Sequence, residues 1–204
     1  MTRRAAALLT VVAAGAGAQE ANWRRVATPA DRERLREWRD AWKIALPAAR
    51  DAGAGGLLAR EGVLFDPDRS LDDALPPAGA YRCRTFKLGR SGAGRRGFSV
   101  SAAGACRVSG EGAARRFAVE EGSGRTAGAL LAETAARGVF LGTALMPGEK
   151  RPMAYGRDVQ RDAAGLVERV EPARWRLVLP YPRFESVLDV VEIVPAGAGE
   201  GSGA

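Results

Sequence analysis

The 204-residue chain contains no histidine, which excludes serine–histidine and cysteine–histidine catalysis and every metal site that requires imidazole ligands. Lysine and arginine together number 31 against 24 aspartate and glutamate residues, but only three of the basic residues are lysines, and an arginine-rich composition also follows from GC-rich codons. The formal net charge of +7 therefore does not by itself indicate a polyanionic partner, and we expect no cofactor, no metal and no nucleic acid on this chain.

Residues 1–18 have the pattern of a secretory signal peptide. Arginines at positions 3 and 4 precede an apolar run at 5–14, and Ala16-Gly-Ala18 ends the segment as a cleavage site. We expect cleavage after Ala18 and a periplasmic or secreted mature protein, exported by either the general or the twin-arginine route. The run is shorter than the roughly 18 apolar residues of a transmembrane helix, and no later stretch reaches that length, so we expect no membrane span.

Residues 19–78 predict a helix and a connecting segment. Thr28 and Pro29 suit the cap and the first position of a helix, and apolar residues then recur at three- and four-residue spacing as far as a glycine-rich break near Gly53. We expect one amphipathic helix, with Trp38 and Trp42 on the stripe that packs against a sheet. One more short turn or helix should follow at 57–64.

Residues 79–195 alternate between apolar and polar positions, the pattern of strands that bury one face. Nine runs fit this description: 80–88, 97–101, 105–109, 116–120, 128–133, 139–145, 166–170, 174–179 and 187–194. Short connections leave no room for helical crossovers, so neighbouring strands should be antiparallel. We expect a mainly β fold in which about eight or nine strands form a meander closed into a small lipocalin-like barrel, with a two-sheet sandwich as the alternative. Residues 196–204, rich in glycine and alanine, should be a disordered tail.

The two cysteines, Cys83 and Cys106, predict a disulfide. They are an even number in a chain that we expect to be exported, and a redox or nucleophilic role would need a CxxC pair or an activating base. A bond between them would tie the first strand of the sheet to a neighbouring strand.

The densest polar cluster in the second half of the chain contains Tyr155, Arg157 and Asp158. Such a cluster can hold an acid beside an electrostatic partner, and it can equally be a loop fixed by an arginine–aspartate pair. It is a candidate site without a preferred reaction.

Arg90, Arg95 and Arg96 lie in a glycine-rich loop between two predicted strands. The loop has no aromatic side chain to stack on nucleic-acid bases, and a solvated hairpin loop explains its composition. Contact with an anionic surface, such as lipid or an envelope polymer, is the functional hypothesis for these arginines.

Several short runs occur in an order that resembles an uncharacterised bacterial family of exported proteins of about 200 residues, a domain of unknown function. The runs are Tyr81-Arg-Cys83-Arg, Val139-Phe-Leu-Gly142, Tyr155-Gly-Arg157-Asp158, Gly165-Leu-Val-Glu168-Arg169 and Arg174-Trp-Arg-Leu-Val178. The resemblance covers residues 23–195 and implies no activity and no site residue. The expected barrel with one disulfide is also similar to calycins, an architectural analogy only.

These features favour a non-enzymatic binding or envelope-associated module that takes a small apolar ligand or a protein partner. Two alternatives stay open. A carboxylate-dependent envelope hydrolase would use two carboxyl groups across a cleft, with Asp158 and Glu185 as first candidates. A periplasmic protease inhibitor would insert a flexible arm, residues 19–27. The sequence leaves the oligomeric state and the identity of any ligand open.

Overall fold

The computed structural model describes residues 22–90, 97–122, 124–183 and 186–197. The predicted signal peptide, Arg95, Arg96, Glu185 and most of the predicted tail lie outside these ranges. Among the described residues, no helix has the length and apolar character needed to cross a bilayer.

The chain begins with a series of short helices. These are α1 (Trp23–Val26), α2 (Pro29–Arg36), α3 (Trp38–Ala49), a π-helical turn (Arg50–Ala54), α4 (Gly55–Glu61) and a 3-10 turn (Gly62–Phe65). The hydroxyl of Thr28 accepts a hydrogen bond from the backbone N–H of Asp31, so α2 starts at the predicted cap. Residues 23–26, predicted as part of a free arm, are instead helical, and Trp23 is buried.

The single predicted helix is divided at Glu37, whose backbone (φ −88°, ψ 10°) leaves the helical path. As a result α2 lies against the strand Asp162–Glu171, whereas α3 lies against the strands Gly79–Leu88, Arg174–Pro180 and Leu188–Pro195. A straight helix of this length would follow the curved outer surface of a barrel poorly. The break lets both apolar stripes reach the sheet.

Nine strands follow, close to the predicted runs. They are β1 (Gly79–Leu88), β2 (Phe98–Val100), β3 (Gly104–Ser109), β4 (Ala114–Val119), β5 (Thr126–Ala132), β6 (Gly138–Ala144), β7 (Asp162–Glu171), β8 (Arg174–Pro180) and β9 (Leu188–Pro195). From β3 to β9 each strand pairs antiparallel with the next, and β1 pairs with both β3 and β9. Eight strands therefore close into a barrel, which confirms the barrel and not the sandwich. The short β2 pairs with the end of β1, at Phe86 to Leu88.

The barrel interior is filled by alternate residues of the strands. Tyr81 and Cys83 of β1 face inward, as do Trp175 and Leu177 of β8, as the alternation of these runs requires. The disulfide between Cys83 and Cys106 joins β1 to β3 within this core, and the predicted pairing is confirmed. The other buried members of the cluster are Leu75, Val108, Phe117, Val119, Leu130, Phe140, Val167, Leu179, Val191 and Ile193.

A second core lies between the outer face of the barrel and the helices. Trp42 and Phe65 pack there against Phe86 of β1, in edge-to-face contacts with ring centroids 6.5 and 5.1 Å apart. Trp38 is buried in the same cluster, which confirms the predicted packing of both tryptophans. The helices therefore cover one flank of the barrel.

A buried ion pair fixes this helical layer to the sheet. Arg176 of β8 and Glu168 of β7 are both 0% exposed, with 2.7 Å between Arg176 Nη2 and Glu168 Oε2. The guanidinium also donates to the carbonyl oxygens of Leu64, Asp66 and Arg69, in the segment that leads from the helices to the barrel. One arginine therefore satisfies a buried carboxylate and three backbone acceptors.

Candidate functional site at the barrel mouth

A cavity of about 500 Å³ opens at one end of the barrel. It lies where β1, β6 and β8 end and where β5, β7 and β9 begin, so that the inward-facing residues of these strand ends form its walls. Thr85 of β1 lies on its wall. Its cross-strand partner Val191 of β9, and Leu177 of β8, which pairs with Val191, belong to the filled core. The cavity is therefore a shallow cup above a packed interior.

An ion pair lies inside this cup. Lys87 of β1 and Asp189 of β9 are cross-strand partners, and Lys87 Nζ is 2.9 Å from Asp189 Oδ2. Their chain neighbours Phe86, Leu88 and Val190 face the outer core, so both charged side chains face inward. The hydroxyl of Ser186 donates a further hydrogen bond to Asp189. A charged pair at this depth is stable only because each group has a partner.

Two arginines from different elements meet at the rim. Arg161 Nη1 donates to Glu149 Oε1 (2.6 Å), and Arg125 Nη1 donates to the backbone oxygen of the same glutamate (2.9 Å). The second carboxylate oxygen of Glu149 accepts from the backbone N–H of Met146 at 2.9 Å. The hydrogen bond from Arg161 lowers the pKa of the Glu149 carboxyl below its usual range, and the bond from Met146 lowers it further.

The residues of the predicted polar cluster, Tyr155, Arg157 and Asp158, make separate contacts and do not form one group. The Tyr155 hydroxyl donates to the carboxylate of Asp31 and accepts from the backbone N–H of Thr28 (3.0 Å), so it fixes the start of α2. Burial, together with the bond to Asp31, raises the pKa of Tyr155 to about 12. Asp158 caps its own turn and lies 3.3 Å from Arg161 Nε, while Arg157 is exposed. The catalytic or binding role proposed for these residues stays a prediction.

A cluster of charged residues that joins α2 to β7, namely Asp31, Arg34 and Asp162, was not predicted from the sequence. Asp31 is fully buried, 2.6 Å from Arg34, and Arg34 donates to the carbonyl of Asp162 in β7. Burial raises the pKa of Asp162, with further contributions from the nearby carboxylates of Asp31 and Asp158. Burial also lowers the pKa of Arg34. The three-residue spacing of Asp31 and Arg34 was the sequence feature that could have indicated their pairing. Their other partners, Tyr155 and Asp162, lie more than a hundred residues away.

The arginine loop begins near the mouth. Arg90 follows the end of β1 and is exposed, whereas Arg95 and Arg96 lie outside the described residues, so the anion-contact hypothesis stays a prediction. The same holds for the carboxylate pair of the hydrolase hypothesis, because Glu185 also lies outside them.

A second concavity, of about 660 Å³, lies on the outer face of β4, β5 and β6. Its floor is formed by small and apolar residues such as Ala118, Ala129 and Leu141, and Val26 (61% exposed) and Met153 (40% exposed) stand at its edge. Arg107, Arg116 and Glu120 are the charged residues that line it. It is more open and less polar than the mouth cavity.

Comparison with known proteins agrees with the resemblance noted from the sequence motifs. A family model described as a domain of unknown function, DUF4893, matches residues 23–193. No curated protein matches the chain. Because the matched region runs from the first helix into β9 and covers most of the chain, the chain belongs to the DUF4893 family.

Proposed function

We propose that this protein is a non-enzymatic binding module that holds a small molecule in the mouth of its barrel. The observation that carries the proposal is the cavity of about 500 Å³, in which inward-facing charged side chains converge above an otherwise filled interior. Ligand sites typically have volumes of about 300–1,000 Å³ and combine apolar walls with a few placed polar groups. The mouth cavity has both properties.

The filled interior limits the size of the ligand. Phe140, Leu177 and Val191 are each at most 1% exposed, so a long lipid chain could enter the barrel only by displacing them. A large ligand of the kind held by deep barrels is therefore a poor fit. The small ligand expected from the sequence fits the cup if it also carries a polar group.

Export is part of the proposal. The disulfide within the core supports an oxidising compartment, because such bonds are rare in the cytosol. A periplasmic or secreted binding module would meet ligands of the cell envelope or of the medium.

The test is a fragment screen by NMR on the full chain, with neutral, cationic and anionic compounds. We expect hits that shift the resonances of Thr85, Thr126 and Leu179 in the cavity wall. Ala144→Phe places a ring in the mouth and should abolish these shifts. The matched control, Ala118→Phe, adds the same ring in the outer concavity and should leave them unchanged.

Melting curves of both variants establish that the barrel remains folded. If no compound of any charge shifts the mouth resonances, or if every hit maps to the outer face of β4 to β6, the proposed function is wrong.

A further inference from the structure

We propose that the ligand of the mouth cavity is a small organic acid, whose carboxylate binds Arg125 and Arg161 at the rim while its short apolar body lies against Leu179. This inference rests on the proposed function and adds the chemical class of the ligand.

The cavity wall has a surplus of positive charge. Among the residues that the structure describes, four basic side chains line it, Lys87, Arg125, Arg161 and Arg183, against the acidic residues Asp162 and Asp189. Asp189 is engaged by Lys87. The carboxylate of Asp162 belongs to the outer face, because the inward-facing Ala163 follows it in β7 and because its Oδ1 accepts from the backbone N–H of Gly156. At the rim, Arg161 also pairs with Glu149 and Asp158, so the three described arginines exceed these two carboxylates by one positive charge.

The rim already binds one carboxylate of the chain itself, that of Glu149. The carboxylate of Glu149 accepts from the side chain of Arg161 and from the backbone N–H of Met146, a donor pair that also suits a bound organic acid, while Arg125 donates to the backbone oxygen of Glu149 beside it. Each guanidinium has five N–H donors, and the contacts described above use only some of them. Among the described residues, the buried Nε of Arg125 has no acceptor at all.

The ion pair between Arg161 and Glu149 is partly exposed, with side-chain exposures of 21% and 32%. Exposed pairs contribute little net stability, so an added carboxylate can share or replace the glutamate at modest cost. The pKa of the Glu149 carboxyl, lowered by the same arginine, is consistent with a positive potential at this rim.

The remaining wall suits a short hydrocarbon or aromatic group. Leu179 is buried in the core beside the cavity, and Ala144, Leu145 and Met146 line the side that carries the two rim arginines. The body of the acid must be short, because the filled interior begins beyond Thr85 and Leu179. A chain of about six carbons or a single ring fits a cavity of about 500 Å³.

The experiment compares hexanoate with its neutral analogue hexanamide, by calorimetry and NMR on the full chain. We expect hexanoate to bind at the mouth at least about tenfold more tightly than hexanamide. Arg161→Gln and Arg125→Gln should each weaken hexanoate by about tenfold and leave hexanamide unchanged. Arg107→Gln, which removes an exposed arginine of the outer face, should change neither affinity.

The outcomes separate the two proposals. Equal binding of the acid and the amide at the mouth, or mouth binding by neutral or cationic fragments alone, would overturn the organic-acid inference and leave the binding function in place. Equal losses in Arg161→Gln and Arg107→Gln would also overturn it. Tight binding of phenyl phosphate with no binding of hexanoate would show that the carboxylate class is wrong. If no compound reaches the mouth, both proposals fail.

Discussion

Replacing Arg176 by methionine should destabilise the protein strongly, although the residue lies far from the proposed ligand. The substitution keeps the length of the aliphatic stem and removes the guanidinium that contacts Glu168, which is itself 0% exposed. It also leaves the carbonyl oxygens of Leu64, Asp66 and Arg69 without this donor. Removing one partner of a buried ion pair typically costs about 3–5 kcal/mol, because the remaining charge stays buried.

The structure places the expected loss near the lower end of that range. Arg137 still donates to the other oxygen of Glu168, at 3.0 and 2.8 Å, so the carboxylate does not lose every partner. We therefore expect Arg176→Met to lower the free energy of unfolding by about 3 kcal/mol, a large part of the roughly 5–15 kcal/mol that holds a typical domain folded.

The assay is urea unfolding followed by circular dichroism with the disulfide intact. Arg36→Met is the matched control, because Arg36 forms an exposed pair with Glu33 and should change the free energy of unfolding by less than about 0.5 kcal/mol. The double variant Glu168→Met with Arg176→Met should recover part of the loss, since it buries no charge. A loss below about 1 kcal/mol for Arg176→Met, or equal losses for Arg176→Met and Arg36→Met, would refute the reasoning.

Three further predictions follow from other contacts. Replacing Cys83 and Cys106 by alanine should lower the free energy of unfolding by about 3 kcal/mol, because the bond closes a loop across 23 positions; denaturant unfolding measures this, and an unchanged midpoint would contradict it. Tyr155→Phe should lower the free energy of unfolding by about 1–3 kcal/mol, because two hydrogen bonds of the hydroxyl are lost. The control Tyr181→Phe, whose hydroxyl has no partner among the described residues, should change it little; thermal unfolding of both variants measures the difference, and equal losses would contradict the prediction. The pKa of the Glu149 carboxyl, measured by NMR titration, should lie below 4.5. The contact of this carboxylate with Arg161 stabilises the fold above the unfolded pKa, and this stabilisation is lost as the pH falls through the folded pKa. A titration midpoint above 4.5 would contradict the rim geometry.

Local patterns were sufficient to predict the strands of this fold. The alternation in segments such as 174–179 shows which side chains share a face, and Trp175, Leu177 and Leu179 do face the barrel interior. The meander and its closure follow from short connections and from the need to remove sheet edges. The two arginines of that strand lie on the opposite face, but the complete burial of Arg176 depends on the helical layer that covers it, which no local pattern reveals.

The candidate site could not be assembled from the sequence, because its residues come from separate strand ends. Arg125, Glu149 and Arg161 meet only when the start of β5, the connection after β6 and the start of β7 are brought to one end of the barrel. The partner of Tyr155, Asp31, is 124 residues away. The break at Glu37 likewise depends on the curvature of the surface beneath the helices.

Native mass spectrometry of the full chain, recovered from the cells that express it, tests the ligand-binding mouth most directly. We predict that the wild-type protein carries a small organic acid, or takes up hexanoate when it is added. Ala144→Phe should lose the adduct and Ala118→Phe should keep it. A wild-type protein that stays free of any adduct at saturating hexanoate would contradict the organic-acid ligand, and an adduct that persists in Ala144→Phe would contradict the mouth as its site.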